Sequence, residues 1–152
     1  MVARVYECDK SEAEALKRTL EYDPYLDPKL IPASKSDKDL KMMSEEDQKK
    51  YKEEEEKSRE AIKKLHEDKY ANVIFVRQNY SFRDGATVNL DGNKSYLYLD
   101  ASEQFLGLAE ERFKREFKTV KRVTKSEEDK VISIIKAEED KAAAGFGSIF
   151  GS

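Results

Sequence analysis

Charge in this chain is concentrated in one segment, and that segment limits what the fold can be. Residues 37–69 contain 10 basic and 12 acidic side chains, so 22 of these 33 residues are charged, and neither glycine nor proline occurs among them. A stretch with so many ionised groups cannot enter a core. Ser44, which three acidic residues follow, is typical of a helix N-terminus. We therefore predict that 37–69 is a charged helical insertion attached to a body formed by the rest of the chain.

Two arrangements of the inserted helix remain open. Its thin seam becomes apolar only toward the C-terminal end, where Ile62 and Leu65 lie. This pattern favours a solvated helix that docks by its last two turns. A coiled-coil dimer is the alternative, but it requires apolar a and d positions over three or four heptads. We expect a monomer or a weak homodimer.

The body alternates strand-like and helix-like patterns. Strands are predicted over 2–8, 73–76, 95–99 and 118–123, and helices over 11–21, after Ser102 and after the capping box that begins at Thr124. Residues 71–100 as a whole are predicted to form two long strands, with a short strand over 86–90 or a bulged turn between them. The continuous apolar run 73–76 is typical of a central strand covered on both faces. The dipeptides Asp84-Gly85 and Asp91-Gly92 can supply the positive φ that tight turns require.

Without the insertion and the last helix, the order of elements is βαββαβ. This order predicts an α+β fold of ferredoxin-like type, in which both helices lie on one face of an antiparallel sheet. The second face would then be open, or the charged helix would cover it. We predict a single α+β domain over 1–144, followed by a flexible tail over 145–152.

Composition excludes several classes of function. No run of about 18 apolar residues occurs, so no membrane partner is expected. The first residues lack the apolar core of a signal peptide, and Cys8 is the only cysteine, which fits a cytoplasmic location. His66 is the only histidine, so a zinc site is not expected. No catalytic grouping, metal site or cofactor motif is recognised.

The region from Arg112 to Lys125 is the most basic part of the chain. It contains seven basic residues and one acid, Glu116, in a chain whose net charge is −3. Such a local excess favours an anionic partner such as RNA or a ribonucleoprotein. The residues predicted to contact RNA are Arg77, Arg83, Arg112, Arg115, Lys118, Lys121 and Arg122. Four aromatic residues could add stacking platforms; they are Tyr80, Phe82, Tyr96 and Tyr98. The alternative is that the basic residues pair with acids and that the tyrosines pack.

The C-terminal sequence is unusual because Phe146, Ile149 and Phe150 lie among three glycines. Residues 138–151 (EEDKAAAGFGSIFG) resemble the end of archaeal acidic ribosomal stalk proteins. In that family the tail recruits translation GTPases through its apolar residues, so the resemblance implies that Phe146, Ile149 and Phe150 bind a partner. The body differs, because stalk proteins have a helical dimerisation domain and a long hinge. It resembles small archaeal proteins rich in lysine and glutamate. The alternative for the tail is that it folds back onto the core.

The sequence thus predicts a non-enzymatic cytoplasmic interaction module that binds RNA, a ribonucleoprotein or a translation partner through its basic stretch. Two alternatives remain open. One is a protein–protein adaptor that uses the C-terminal phenylalanines and isoleucine, and the other is an α+β domain that binds a small molecule.

Overall fold

The structure is a computed structural model that describes residues 1–31 and 41–150, except for the side chains of 145–150. The chain divides into two compact units. The first comprises Met1–Glu21 and Phe75–Ser152, and the second comprises Tyr22–Ile74. The predicted insertion 37–69 belongs to the second unit. Its first residues, 37–40, lie outside the described part of the chain.

The first unit is built on an antiparallel sheet. Its strands are β1 (Val2–Asp9), β2 (Asn79–Asp84), β3 (Lys94–Ala101) and β4 (Lys121–Arg122), in the spatial order β2-β3-β1-β4. Because all neighbours are antiparallel, β1 and β2 run parallel on either side of β3, and β3 and β4 run parallel on either side of β1. The two edges differ in length, since β2 has six residues and β4 has two.

Helices cover both faces of this sheet. These helices are α1 (Lys10–Glu21), α3 (Glu103–Glu116) and α4 (Lys125–Phe150). A further helix, α2 (Glu45–Glu67), belongs to the second unit. On one face, Tyr6 of β1 meets Phe113 of α3 edge to face at 5.2 Å. On the other face, Tyr98 packs in one cluster with Val131 and Ile135 of α4. The mixed helix and strand content confirms the α+β prediction. The second face, which the sequence predicts to be open or covered by the charged helix, is covered by α4 of the same unit.

The predicted strand 73–76 is wrong. Phe75–Arg77 forms a 3₁₀ helix instead. The Phe75 ring is fully buried, lying 5.4 Å from the Phe113 ring and 5.6 Å from the Phe105 ring. The apolar run therefore indicates that these side chains are buried, but their backbone is not extended. Strand β2 begins at Asn79, two residues after the 3₁₀ helix ends.

Between the two turn dipeptides, the predicted short strand is wrong. Gly85–Val88 is a 3₁₀ helix and not a strand, and the residue with positive φ is Asn89, at 58°. Neither Gly85 nor Gly92 has a positive φ. Gly85 is required for a different reason, because a Cβ at this position would overlap the carbonyl group of Asp91. The side chain is excluded by close approach of two backbone segments.

The second unit contains α2, which begins as the sequence predicts. Ser44 Oγ accepts the backbone N–H of Asp47 at 3.3 Å. No residue of α2 is buried, although Ile62 and Leu65 are partly covered. At its C-terminal end, the side-chain amide of Asn72 donates to the carbonyl of Leu65 at 2.6 Å. None of the helices in the described ranges is long and apolar enough to cross a membrane.

The last helix extends further than the sequence indicates. The backbone of α4 continues to Phe150, so Gly145 and Gly147 lie within its bounds. The predicted tail, 145–152, therefore begins inside this helix. The side chains of Phe146, Ile149 and Phe150, together with residues 151–152, lie outside the described part of the structure.

Candidate binding edge of the sheet

A carboxylate closes the β4 edge of the sheet. The Glu128 side chain, at the start of α4, is only 9% exposed. Its two oxygens accept from Arg122, at 2.8 and 2.9 Å, and one of them also accepts the backbone N–H of Val5 at 3.0 Å. Burial acts to raise the pKa of Glu128, but the hydrogen bonds from Arg122 and Val5 outweigh it and hold the pKa below its usual value. An ionised side chain thus occupies the place where a neighbouring strand would bond.

Other side chains close the loop that precedes β4. Thr119 Oγ1 accepts the backbone N–H of Asp9 at 3.1 Å. The carboxylate of Glu12 in turn accepts the backbone N–H groups of Lys118, at 3.0 Å, and Thr119, at 2.6 Å. The hydroxyl of Thr119, with the two backbone groups, holds the pKa of Glu12 below its usual range. Several backbone N–H groups beside this edge, those of Asp9, Lys118 and Thr119, are therefore already bonded.

The cations predicted to bind RNA do not form one surface. Arg83 lies on β2, whereas Lys121 and Arg122 lie on β4, at the opposite edge of the sheet. Several of them are also paired. Arg83 with Glu138, Arg112 with Glu116, Lys121 with Glu7 and Arg122 with Glu128 have N–O separations of 2.5 to 3.3 Å. Arg77 and Arg115 lie at the ends of the 3₁₀ helix and of α3, respectively.

The proposed stacking tyrosines are not accessible. Tyr96 and Tyr98 are each 2% exposed, beneath α4. Neither ring can present a free face to a base. Tyr80 and Phe82 are partly buried on the face that α1 and α3 cover.

Three lysines of the basic stretch are exposed. Lys114, Lys118 and Lys125 make no ion pair with any residue in the described part of the chain, although Lys118 contributes to the field around Glu12. They lie at the end of α3, in the loop before β4 and at the start of α4. All three belong to the basic stretch 112–125, and Lys118 is also one of the residues predicted to contact RNA.

The register of the sheet determines which backbone groups point out of the β2 edge. The N–H of Val123 donates to the carbonyl of Val5 at 3.1 Å, so the polar groups of Val5 face β4 and not β3. Directly opposite residues of antiparallel strands either exchange both hydrogen bonds or neither. Tyr98 lies opposite Val5 and therefore directs its N–H and C=O toward β2, where Ser81 lies opposite it.

Successive residues of a strand direct their polar groups to opposite sides. Since Ser81 bonds to β3, the N–H and C=O groups of Tyr80 and Phe82 point away from the sheet. Among the described residues, none hydrogen-bonds to these four groups. The carbonyl of Asp84, at the end of the strand, accepts the hydroxyl of Thr87 at 2.7 Å. The β2 edge is thus an unpaired strand edge.

A groove runs beside β2 on the face that carries α1. Its volume is about 510 Å³. The side chains of Tyr80 and Phe82, with Leu20 of α1, contribute apolar surface to its lining. Carboxylates of Glu14 and Glu21 also line it.

A second, smaller groove of about 230 Å³ lies on the other face, between β2 and α4. Tyr98 and Ile135 contribute apolar surface there. The guanidinium of Arg83 spans the groove and meets the Glu138 carboxylate, with Nη1 to Oε1 at 2.7 Å. The hydrogen bond from Arg83 holds the pKa of Glu138 below its usual value. Glu139 lines the same groove.

Sequence reasoning missed this edge. The stretch Asn79–Asp84 has a single charged pair at its end and no β-branched residue, so it gives a weak strand signal. Alternation of Tyr80 and Phe82 with polar residues was the available signal.

The described residues contain no cluster of metal-ligating side chains. Cys8 of β1 is 1% exposed.

Comparison with models of protein families finds no match for this chain. Searches among curated proteins and among solved structures likewise return no match.

Proposed function

We propose that this chain is an interaction module that binds an extended segment of a partner protein as an added strand beside β2. The outward-facing N–H and C=O groups of Tyr80 and Phe82 carry this proposal. In strand addition, backbone hydrogen bonds provide affinity, and pockets for alternate side chains provide selectivity. The two grooves that flank β2 supply such pockets, one on each face of the sheet.

The contrast between the two edges supports the proposal. Soluble proteins protect sheet edges with short strands, prolines, bulges or inward-pointing charges. The β4 edge is protected in this way, because its strand has two residues and Glu128 bonds to Val5. The β2 edge has six residues and no proline, and its centre, Tyr80–Phe82, has no charge. The β4 edge is thus closed, whereas the β2 edge can pair with a further strand.

We also propose that the body follows the ferredoxin-like plan. Two observations support it. The order along the chain is β1-α1-β2-β3-α3-β4 once α2 and α4 are set aside. Each βαβ unit is split, since β1 and β2 are parallel with β3 between them and β3 and β4 are parallel with β1 between them. In this plan β2 is an edge strand beside α1, as the binding proposal requires.

The proposal is tested with random ten-residue peptides displayed on phage and selected on the purified chain. Tyr80→Pro removes one outward N–H without removing a bond to β3, and Tyr80→Val is the matched control that keeps the N–H. We expect selected peptides to bind the valine variant nearly as well as the unmodified chain. The proline variant should bind them at least about tenfold more weakly, equivalent to about 1.4 kcal/mol.

A second experiment does not depend on the folding of a variant. A selected peptide is N-methylated at one position at a time. Strand addition predicts that alternate positions tolerate methylation, because only every second N–H faces β2. Peptides that are insensitive to Tyr80→Pro, or that are equally sensitive at successive positions, would contradict the proposal.

RNA binding is a second candidate, and the exposure of Lys114, Lys118 and Lys125 favours it. These ammonium groups make no ion pair in the described part of the chain. The triple substitution of these lysines by glutamate should then reduce the affinity for single-stranded RNA and flatten its salt dependence. Substitution of Lys49, Lys50 and Lys52 on α2 is a control of equal charge. Equal loss in both variants would indicate a net-charge effect and not a site.

The resemblance of the C-terminal end to stalk proteins stays a prediction. It assigns partner binding to Phe146, Ile149 and Phe150. Deletion of 145–152 should abolish that binding without lowering the melting temperature if the prediction is right.

A further inference from the structure

The two grooves that flank β2 share a chemical character. Five carboxylates line them, three on the α1 side and two on the α4 side. They are Glu14, Glu21 and Asp84, and Glu138 and Glu139. Only two basic side chains, Lys17 and Arg83, line the same grooves. An added strand would therefore insert its side chains between acidic walls on both faces.

Ion pairing does not neutralise this charge. Arg83 is paired with Glu138, at 2.7 Å. Lys17 is then the one other basic side chain in the lining of the α1-side groove, and the α4-side groove has none besides Arg83. Within the described ranges, Glu14, Glu21, Asp84 and Glu139 make no ion pair. Glu21 and Glu139 also act on the tyrosines at the groove floors, contributing to the raised pKa of Tyr80 and of Tyr98, respectively, for which burial is the larger cause. The negative field therefore extends into both grooves.

Apolar side chains contribute to the floors of both grooves. Leu20 and Phe82 lie on one side, and Ile135 and Tyr98 on the other. A side chain that fits such a groove has an apolar stem and a cationic end. Lysine and arginine have this form, because their methylene chains cover apolar surface while the charged group stays at the rim. Acidic side chains would meet like charge on either face.

We propose that the segment bound beside β2 is basic, with lysine or arginine at positions whose side chains enter the grooves. This inference depends on the proposed strand addition, and it names the chemical class of the partner. The charge of the grooves selects among extended peptides that would all make the same backbone bonds. Attraction between the carboxylates and the basic segment also accelerates association at low ionic strength.

The test uses three eight-residue peptides with the same alternating valines, in which the other four positions are all lysine, all threonine or all glutamate. Binding is measured by fluorescence anisotropy at low salt and at 0.5 M NaCl. We expect the lysine peptide to bind at least tenfold more tightly than the threonine peptide and the glutamate peptide to bind most weakly. The preference should shrink at high salt.

Variants of the chain test which carboxylates cause the preference for the lysine peptide. Glu21→Gln with Glu139→Gln removes one carboxylate from each groove and should remove most of the preference for lysine. Glu53→Gln with Glu56→Gln on α2 is the control of equal charge and should preserve it. Both Glu53 and Glu56 are exposed.

The outcomes separate this inference from strand addition itself. If all three peptides bind equally and Tyr80→Pro weakens them all, strand addition stands and the basic partner is wrong. If the lysine peptide shows no binding, or if both double variants lose the preference equally, the basic partner is also wrong. A concentration-dependent dimer that Tyr80→Pro abolishes would show that a second copy of the chain occupies the edge, and it would overturn the inference.

Discussion

The carboxylate of Glu128 accepts the backbone N–H of Val5 at 3.0 Å, across 123 positions of the sequence. This bond joins the start of α4 to β1 and closes one edge of the sheet. The same carboxylate holds Arg122 by two hydrogen bonds. Arg122, which the sequence predicts to contact RNA, therefore helps Glu128 to protect the β4 edge.

Glu128→Gln should lower the stability of the first unit. The amide can still accept one bond but loses its charge, and a hydrogen bond to a charged group contributes about 1.5–3 kcal/mol. Urea unfolding followed by circular dichroism should show a loss of about that size. Asp129→Asn, at an exposed neighbouring position, is the control and should change the stability by less than about 0.5 kcal/mol.

The hydrogen bonds of Glu128 also predict that the stability of the chain depends on pH. The pKa of Glu128 is lower in the folded chain than its usual value, so the unfolded chain binds the proton more tightly. The stabilisation is present above the unfolded pKa of about 4.3 and is lost as the pH falls through the folded value. Unfolding curves between pH 7 and pH 3 should show a steeper decline for the unmodified chain than for Glu128→Gln. Identical declines would contradict an ionised Glu128 on this edge.

Phe75→Ala and Val76→Ala distinguish a 3₁₀ helix from a central strand. The ring of Phe75 is 0% exposed and packs against two phenylalanines, so its truncation should cost about 3–5 kcal/mol. Val76 is 43% exposed, and its truncation should cost less than about 0.5 kcal/mol. Comparable losses in the two variants would instead favour a strand covered on both faces.

The two turn glycines should respond differently to substitution by alanine. At Gly85 the new methyl group meets the Asp91 carbonyl, whose carbon would lie 2.6 Å away, and an overpacked site of this kind costs about 1–3 kcal/mol. At Gly92 the nearest atom is 4.0 Å away, so the change should be within about 0.5 kcal/mol of zero. Thermal melting of the two variants measures the difference. A stable Gly85→Ala chain would mean that the loop after β2 is not closed in this way.

Cys8 should be unreactive in the folded chain. Burial, with Glu12 and Asp9 nearby, raises the pKa of the thiol to about 11. Because the thiolate is the nucleophile, labelling by iodoacetamide at pH 8 should be slow in buffer and rapid in urea. Rapid labelling without urea would show that β1 opens readily.

Signals confined to a few neighbouring residues predicted the structure well. Ser44, Ser102 and Thr124 all cap the helices that the sequence assigns to them. The strands predicted over 2–8 and 95–99 correspond to β1 and β3, since their apolar residues alternate or are β-branched. Such caps and alternations depend on contacts within one turn or one strand.

Features that depend on distant pairing were not predictable in the same way. The run 73–76 is apolar because Phe75 enters a phenylalanine cluster, and no local pattern distinguishes this from a buried strand. The outward direction of Tyr80 follows only from the register of three strands. The count of basic residues did not reveal that Arg83 on β2 and Arg122 on β4 lie at opposite edges of the sheet, because the strand order depends on distant pairing.

Isotope-filtered NMR of the labelled chain with a selected unlabelled peptide detects whether β2 accepts a partner strand. We expect nuclear Overhauser contacts from the amide protons of Tyr80 and Phe82 to the peptide backbone, while Ser81 keeps its contacts to β3. Contacts of the peptide confined to another surface, with the amides of Tyr80 and Phe82 unchanged, would contradict it.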